Sequence, residues 1–191
     1  MQQALLALCG ARKGHFRYES GHHGDLWLDL DRMFEKPKLL SPFVAELAQR
    51  FHAHEPHMIC GPLTGGAVLA QMLATELGVN ACYAERHVRD EVVTYSLPAA
   101  VRDSLPGQRV ALVDDAINAG SAVGATMAEL EACGAKVVAV GALLTLGSRA
   151  ATLCADWKVP LESLANIPSN LWLPEECPQC SAGMAVENAG T

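Results

Sequence analysis

The sequence predicts an α/β fold built on a mostly parallel sheet with helices on both faces. Three observations predict it. Short apolar runs alternate with amphipathic stretches of helical length from residue 41 to about 150, the rhythm of strands joined by crossover helices. The run at 110–113, Val-Ala-Leu-Val, is apolar throughout, as suits a strand buried on both faces of a parallel sheet. Small residues collect where strand gives way to helix, at 61–66 and 118–122. That edge is where open α/β sheets bind their ligands.

Each element follows from local chemistry. Residues 2–10 read as a short helix. Residues 14–34, punctuated by Gly14, Gly21 and Gly24, read as small strands and turns. Ser41-Pro42 offers a capping hydroxyl and a proline at the first helical position, so a helix is expected from there to about His54. A strand at 58–60, a loop at 61–66 and a helix at 67–77 follow, with Gly78 as the helix stop. Residues 81–84 read as a strand. From 85 to 108 no periodicity is evident, and a loop that long inside a compact unit is usually a lid or disordered. The strand at 110–113, a helix at 123–133 stopped by Gly134, and a strand at 137–144 complete the alternation.

Composition sets bounds. A chain of 191 residues, 50% hydrophobic and 18% charged, can bury a sizeable core and is not disordered. A net charge of −7 argues against nucleic acid or an anionic membrane as a partner. No apolar stretch reaches spanning length without glycine or charge. The start, Met1-Gln2-Gln3-Ala4-Leu5, lacks a basic n-region, so no signal peptide and a cytoplasmic location are expected. Seven cysteines, an odd count without framework spacing, fit reduced thiols.

The segment richest in chemistry is 110–122. Its apolar strand ends in two adjacent carboxylates, Asp114 and Asp115, followed by Ala116, Ile117, Asn118, Ala119, Gly120, Ser121 and Ala122. Free N–H groups at the following helix start can hold a phosphate. The carboxylates would repel phosphate but suit sugar hydroxyls or a divalent cation. At about 6 Å and an effective dielectric of about 20 they repel each other by about 3 kcal/mol, which a cation or hydroxyl donors would relieve. The simpler reading is a solvated acidic strand end. The second segment is Gly61-Pro62-Leu63-Thr64-Gly65-Gly66. It lacks the Lys-Ser/Thr of a P-loop and the Gly-x-Gly-x-x-Gly of dinucleotide folds, and alone it is no more than a tight strand-to-helix turn.

The 110–122 segment resembles the phosphoribosyl-diphosphate signature of the type I phosphoribosyltransferases, with Asn118 where a Thr is usual. Gly61 to Gly66 is similar to that family's pyrophosphate loop. Gly14-His15-Phe16-Arg17-Tyr18-Glu19-Ser20-Gly21 followed by Leu26-Trp27-Leu28-Asp29 resembles the amino-terminal hood of the orotate branch. Tyr83-Ala84-Glu85-Arg86 resembles the strand end before its catalytic lid, and Leu173-Pro174-Glu175-Glu176-Cys177-Pro178-Gln179-Cys180 resembles a carboxyl-terminal pattern of one bacterial and archaeal subset. The resemblance implies a phosphoribosyltransferase-like unit over 1–191: a hood at about 1–37, a core at about 41–150 and a tail at about 160–191. It implies phosphoribosyl diphosphate and a nucleobase-like acceptor as substrates, orotate first, in pyrimidine nucleotide biosynthesis. Asp114 and Asp115 would hold the ribose hydroxyls, with Mg²⁺ as cofactor. Residues 118–122 would hold the 5-phosphate, with Ala116 and Ile117 beside them in the substrate-binding segment. Thr64, Gly65, Gly66, Arg86 and Arg89 would manage pyrophosphate, Arg89 counting with the two aspartates as catalytic. Residues 86–107 would close as a lid, and a homodimer is expected.

The departures from the family pattern are specific. The lid carries no lysine; its basic groups are Arg86, Arg89 and Arg102. Arginine neutralises pyrophosphate but is a poor proton donor, so an electrostatic role is expected. His87 is the lid's candidate proton carrier, or a solvated loop histidine. Glu19 stands where the family has a basic residue for the orotate carboxylate, and Leu146-Gly147-Ser148 where it has another. Arg17 or Arg149 could substitute. Two other readings therefore stand: a non-catalytic ligand sensor, or a transferase for a different base. His52-Ala53-His54-Glu55-Pro56-His57 is one Asp short of a metallohydrolase box, with Pro56 in the ligand position, and reads as histidines at a helix carboxyl end. Cys177 and Cys180 supply two of the roughly four ligands a structural zinc needs. A dimer or a distant cysteine could complete such a site, and an ordered tail turn is the simpler reading.

Overall fold

A computed structural model describes residues 2–18, 20–90 and 92–188. A short helix α1 (Gln2–Leu8) precedes a hairpin of β1 (Arg12–Arg17) and β2 (His23–Trp27), then α2 (Asp31–Phe34) and α3 (Pro37–Phe51). The alternating part runs β3 (Met58–Pro62), α4 (Gly65–Leu77), β4 (Asn80–Arg89), β5 (Val92–Ser96), α5 (Ala99–Arg102), β6 (Arg109–Ile117), α6 (Ser121–Ala132), β7 (Lys136–Leu146), α7 (Arg149–Trp157) and β8 (Leu161–Ile167). The chain then returns through β9 (Leu171–Trp172), α8 (Pro178–Ser181) and β10 (Glu187–Asn188). Among the described residues no helix is long and apolar enough to cross a membrane.

The main sheet has six strands in the order β5-β4-β3-β6-β7-β8, parallel except where β5 pairs antiparallel with β4. Alternation along each buried strand assigns side chains to two faces. Ile59, Ala111 and Val113 pack with α3, α4 and the amino-terminal helices. Cys60, Val110 and Leu112 pack with α6 and α7. The α/β class with helices on both faces is therefore as the sequence predicts.

A second, four-stranded sheet, β10-β1-β2-β9, forms the hood. It joins sequence ends that lie far apart, because β9 and β10 come from the tail. The Asp25 carboxylate ties the two parts by accepting from the backbone N–H of Asn170 at 3.0 Å and from its side-chain amide at 2.7 Å. The tail expected from about residue 160 begins as β8, an edge strand of the main sheet, and bonds to the hood from Asn170 onward.

Three local expectations are corrected. The helix expected to start at Ser41-Pro42 begins at Pro37, and Pro42 lies inside it. Both prolines fit the first-position rule; burial of Leu40, just ahead of Ser41, holds the longer helix. The stretch 85–108 is not one irregular loop: β4 runs on to Arg89, turns at Asp90 (φ +49°) and pairs back as β5, with Arg86 opposite Tyr95. This hairpin buries neither face fully, so no alternation marks it. The strand at 110–113 extends to Ile117, and its helix starts at Ser121 rather than 123. The Gly78 stop is as expected, left-handed at φ +69° with its N–H bonded to the Ala74 carbonyl.

Phe51 closes α3 against β7, where a Cβ on Gly141 would lie 2.2 Å from its ring. It is fully buried. Phe51→Ala should cost about 3–5 kcal/mol of stability in urea unfolding; a loss under about 1 kcal/mol would show that this contact is not part of the core.

Candidate active site

The strand order reverses at β3. The chain leaves β3 through α4 to β4 on one side, and later enters β6 on the other. Because α4 and α6 lie on opposite faces, the loops after β3 and β6 part and leave a crevice at the carboxyl ends of the two strands. The register pairs Met58 with Val110 and Cys60 with Leu112, so the turns at 61–66 and 114–120 emerge side by side.

Asp114 and Asp115 stand in that crevice. Asp115 is 8% exposed and Asp114 is half-buried. The Asp115 N–H donates to Asp114 Oδ1 at 3.0 Å, and the Ala116 N–H donates to Asp115 Oδ1 at 2.7 Å. The glycines of the first loop lie against these carboxylates. A Cβ on Gly65 would sit 1.9 Å from Asp115 Oδ2, and one on Gly66 would sit 2.8 Å from Asp114 Oδ1. Burial pushes the Asp114 carboxyl well above the usual carboxylate range, and the Asp115 charge adds to it. Burial also raises Asp115, against the hydrogen bond from Ala116. The pair is desolvated and self-repelling, which suits hydroxyl donors or a cation.

Beyond the pair the backbone turns at Gly120, φ +79°. A Cβ there would meet Leu153 of α7 at 2.3 Å, so α7 packs directly under the loop. The first N–H groups of α6 have no helical acceptor, and together with 118–120 they can cradle an anion. Residues 116–123 and Asp114 line a cavity of about 240 Å³. Its other wall is the hood: Tyr18, Ser20, Leu26, Trp27 and Leu28. Tyr18 is held there by donating its hydroxyl to the Leu26 carbonyl. The site residues inferred from sequence omit this wall, although Leu26-Trp27-Leu28 already belongs to the hood pattern.

The basic residues separate into two groups. Arg86 and Arg149 line one groove of about 490 Å³ with Ala119, Gly120 and Ser121. Arg89, at the end of β4 beside the turn, lies outside both cavities. Arg17 is exposed at the end of β1, outside them as well. Gly147 sits at φ +65° with its carbonyl accepting from Asn166. Glu19 lies outside the described residues. His87 is exposed on the hairpin and bonds Ser96 Oγ at 2.8 Å, the solvated reading. The histidines of 52–57 do not converge: His54 pairs with Glu162 at 2.8 Å and His57 bonds Gln108 at 3.2 Å.

Comparison with known proteins agrees with this geometry. The phosphoribosyl transferase domain family model matches residues 37–172. The orotate phosphoribosyltransferase of Caldanaerobacter subterraneus subsp. tengcongensis is 30% identical over 179 residues, 94% of this chain and 90% of that protein. That of Thermotoga maritima is 30% identical over 192 residues, covering 100% of this chain and 98% of its own. Among solved structures, orotate phosphoribosyltransferase from Aeropyrum pernix superposes with a TM-score of 0.71 at 23% identity, covering 87% of this chain and 94% of that one. Adenine phosphoribosyltransferase from Thermoanaerobacter pseudethanolicus gives 0.70 at 18% identity, over 87% and 100%. The fold is thus shared with enzymes named for more than one base, and the chain belongs to the type I phosphoribosyltransferases.

Proposed function

We propose that this protein is an orotate phosphoribosyltransferase, moving the ribose 5-phosphate of phosphoribosyl diphosphate onto orotate and releasing pyrophosphate. The placement of Asp114 and Asp115 between the 61–66 turn and the 118–122 loop carries the reading. Full-length likeness to proteins named for that activity supports the choice of base. Asp114 and Asp115 hold the ribose hydroxyls. The backbone of 118–122 receives the 5-phosphate. Thr64, Gly65, Gly66 and Arg86 receive the pyrophosphate, and Arg89 joins them on closure of the hairpin over the site.

In the reaction the bond from the anomeric carbon to pyrophosphate breaks as a bond to the base nitrogen forms. Positive charge develops on the sugar, so buried carboxylates and positioning do most of the work. The hard oxygen donors of Asp114 and Asp115, crowded and desolvated, fit Mg²⁺ held together with the sugar hydroxyls. When bound there, such an ion would supply charge neutralisation for pyrophosphate. Arg149, in the same groove as Arg86, is the cation placed to meet the orotate carboxylate. The exposed apolar side chains Val88, Val92 and Val93 on the hairpin support a homodimer, and seven free cysteines support a reducing, cytoplasmic setting.

A second reading, transfer to another base, draws on Glu19 and Gly147, which replace basic residues of the orotate pattern. Pyrophosphate release assayed with orotate and a panel of bases separates the two. Turnover with orotate is expected; turnover with another base alone overturns the orotate assignment, and donor binding without any turnover points to a sensor. Asp115→Ala should weaken donor binding by about 1.5–3 kcal/mol through lost charge-assisted hydrogen bonds, read by calorimetry. Unchanged affinity would remove Asp115 from the site.

The raised carboxyls also predict a stability effect. In the window between the ordinary carboxylate range and the raised values, the folded protein binds more protons than the unfolded chain, so stability falls as pH rises through it. Asp114→Asn should therefore raise the Tm of the ligand-free protein at pH 7. The gain should vanish at pH 3, while donor binding is lost at both. A lower Tm at pH 7 would contradict the electrostatic account.

A further inference from the structure

Away from the sugar-phosphate crevice, the hood brings together four side chains from three places in the sequence. His15 on β1, His23 at the start of β2, and Cys177 and Cys180 around α8 converge so that one ligand atom from each lies within 4.8 Å of all the others. His15 Nε2 is 3.1 Å from His23 Nδ1, 3.4 Å from Cys177 Sγ and 3.6 Å from Cys180 Sγ. Cys180 Sγ is 3.2 Å from His23 Nδ1. A tetrahedron with metal–nitrogen and metal–sulfur bonds of zinc length has edges of about 3.3–3.8 Å, and the four measured separations fall close to that range. His15, His23 and Cys177 are 2%, 7% and 0% exposed, while Cys180 is exposed and leaves a way in.

We propose that His15, His23, Cys177 and Cys180 form a structural zinc site that fastens the carboxyl-terminal tail to the hood. The surroundings fit the ion. His15 Nδ1 donates to the Met184 carbonyl at 3.0 Å, which fixes the tautomer and leaves the Nε2 lone pair facing the two sulfurs, as an outer partner does for a metal-bound histidine. Without an ion, that single nitrogen is the shared partner of three groups. With it, each cysteine gives up its proton, two protons leave to solvent, and the two thiolates cancel the charge of Zn²⁺. Two imidazoles and two thiolates in closed tetrahedral array suit zinc and leave no position open for catalysis. The Cys-x-x-Cys turn closes with Ser181 and Gly183 N–H groups bonded to the carbonyls of Cys177 and Cys180.

The site bears on the cavity through the strands it joins. His15 and His23 lie on the hairpin that also carries Trp27, and Tyr18 stacks on Trp27 with ring centres 6.4 Å apart. Both rings line the hood wall. The tail also pairs with β1 through β10 and with β2 through β9. The metal thus stands behind the wall and does not touch the sugar-phosphate loops, so its test is independent of the base assignment.

The test is metal content and spectrum of the purified, full-length protein. After growth with zinc and exhaustive dialysis, elemental analysis should find one zinc per chain. Replacement by Co²⁺ should give the intense tetrahedral d–d bands and the sulfur-to-cobalt charge-transfer band of two thiolates. Cys180→Ser, at the exposed ligand, should lower both the zinc content and the charge-transfer intensity while circular dichroism stays native. Cys133→Ser, at a cysteine outside the cluster, should change neither. Chelation of the wild type should lower its Tm, and added zinc should restore it. Three results would each overturn the proposal: under a tenth of an equivalent of zinc in protein that is folded by circular dichroism, an octahedral cobalt spectrum, or a Cys177–Cys180 disulfide in protein purified under reducing conditions. Zinc fully retained by Cys180→Ser and by His23→Ala would do so as well.

Discussion

The parallel pairing of β3 with β6 is the constraint on which the rest depends. It places the ends of two buried strands side by side where strand order reverses, and the helices that follow them lie on opposite faces. The loops after the two strands have to diverge, and the crevice between them is a consequence of topology rather than of any one side chain. Glycine at 65 and 66 is then a steric requirement, because the carboxylates of the neighbouring strand occupy the space a Cβ would need. The same crowding desolvates Asp114 and Asp115 and raises both carboxyls. The site therefore concentrates unfavourable electrostatics that the proposed polyhydroxyl, cation-bearing ligand would relieve.

Around this edge the protein adds two further walls. One is the hood, which carries apolar and aromatic side chains over the loop and is assembled from both ends of the chain. The other is the β4–β5 hairpin with Arg86 at its base and Arg89 near its turn. The division matches the proposed chemistry: the rigid sheet edge would hold the sugar and its phosphate, and the walls would contribute base contacts and charge. Enzymes for different bases share the sheet, and their difference is expected to lie in such walls.

Sequence patterns reveal the parts of this design that rest on local rules. The apolar strand at 110–113, the small-residue turns and the Gly78 stop are all readable because each depends on neighbours within a few residues. Pro42 misleads because Pro37 satisfies the same rule one turn earlier and the buried Leu40 decides between them. The hairpin is missed because its strands are exposed on both sides and carry no alternation. Arg149 could be named as a possible cation, but its place beside Arg86 follows from the packing of α7 under Gly120. His15 and Cys177, 162 residues apart, could not be paired at all: only the return of the tail to the hood brings them into contact.

The central claim is that one sheet edge divides a single ligand between the acidic pair and two loops. A crystal structure with phosphoribosyl diphosphate and Mg²⁺ tests it most directly. The account predicts the 5-phosphate on the backbone N–H groups of 118–122, the ribose hydroxyls on Asp114 and Asp115, and the pyrophosphate over Thr64 to Gly66. Density for the ligand in the reverse orientation, or bound away from the two carboxylates, would contradict it.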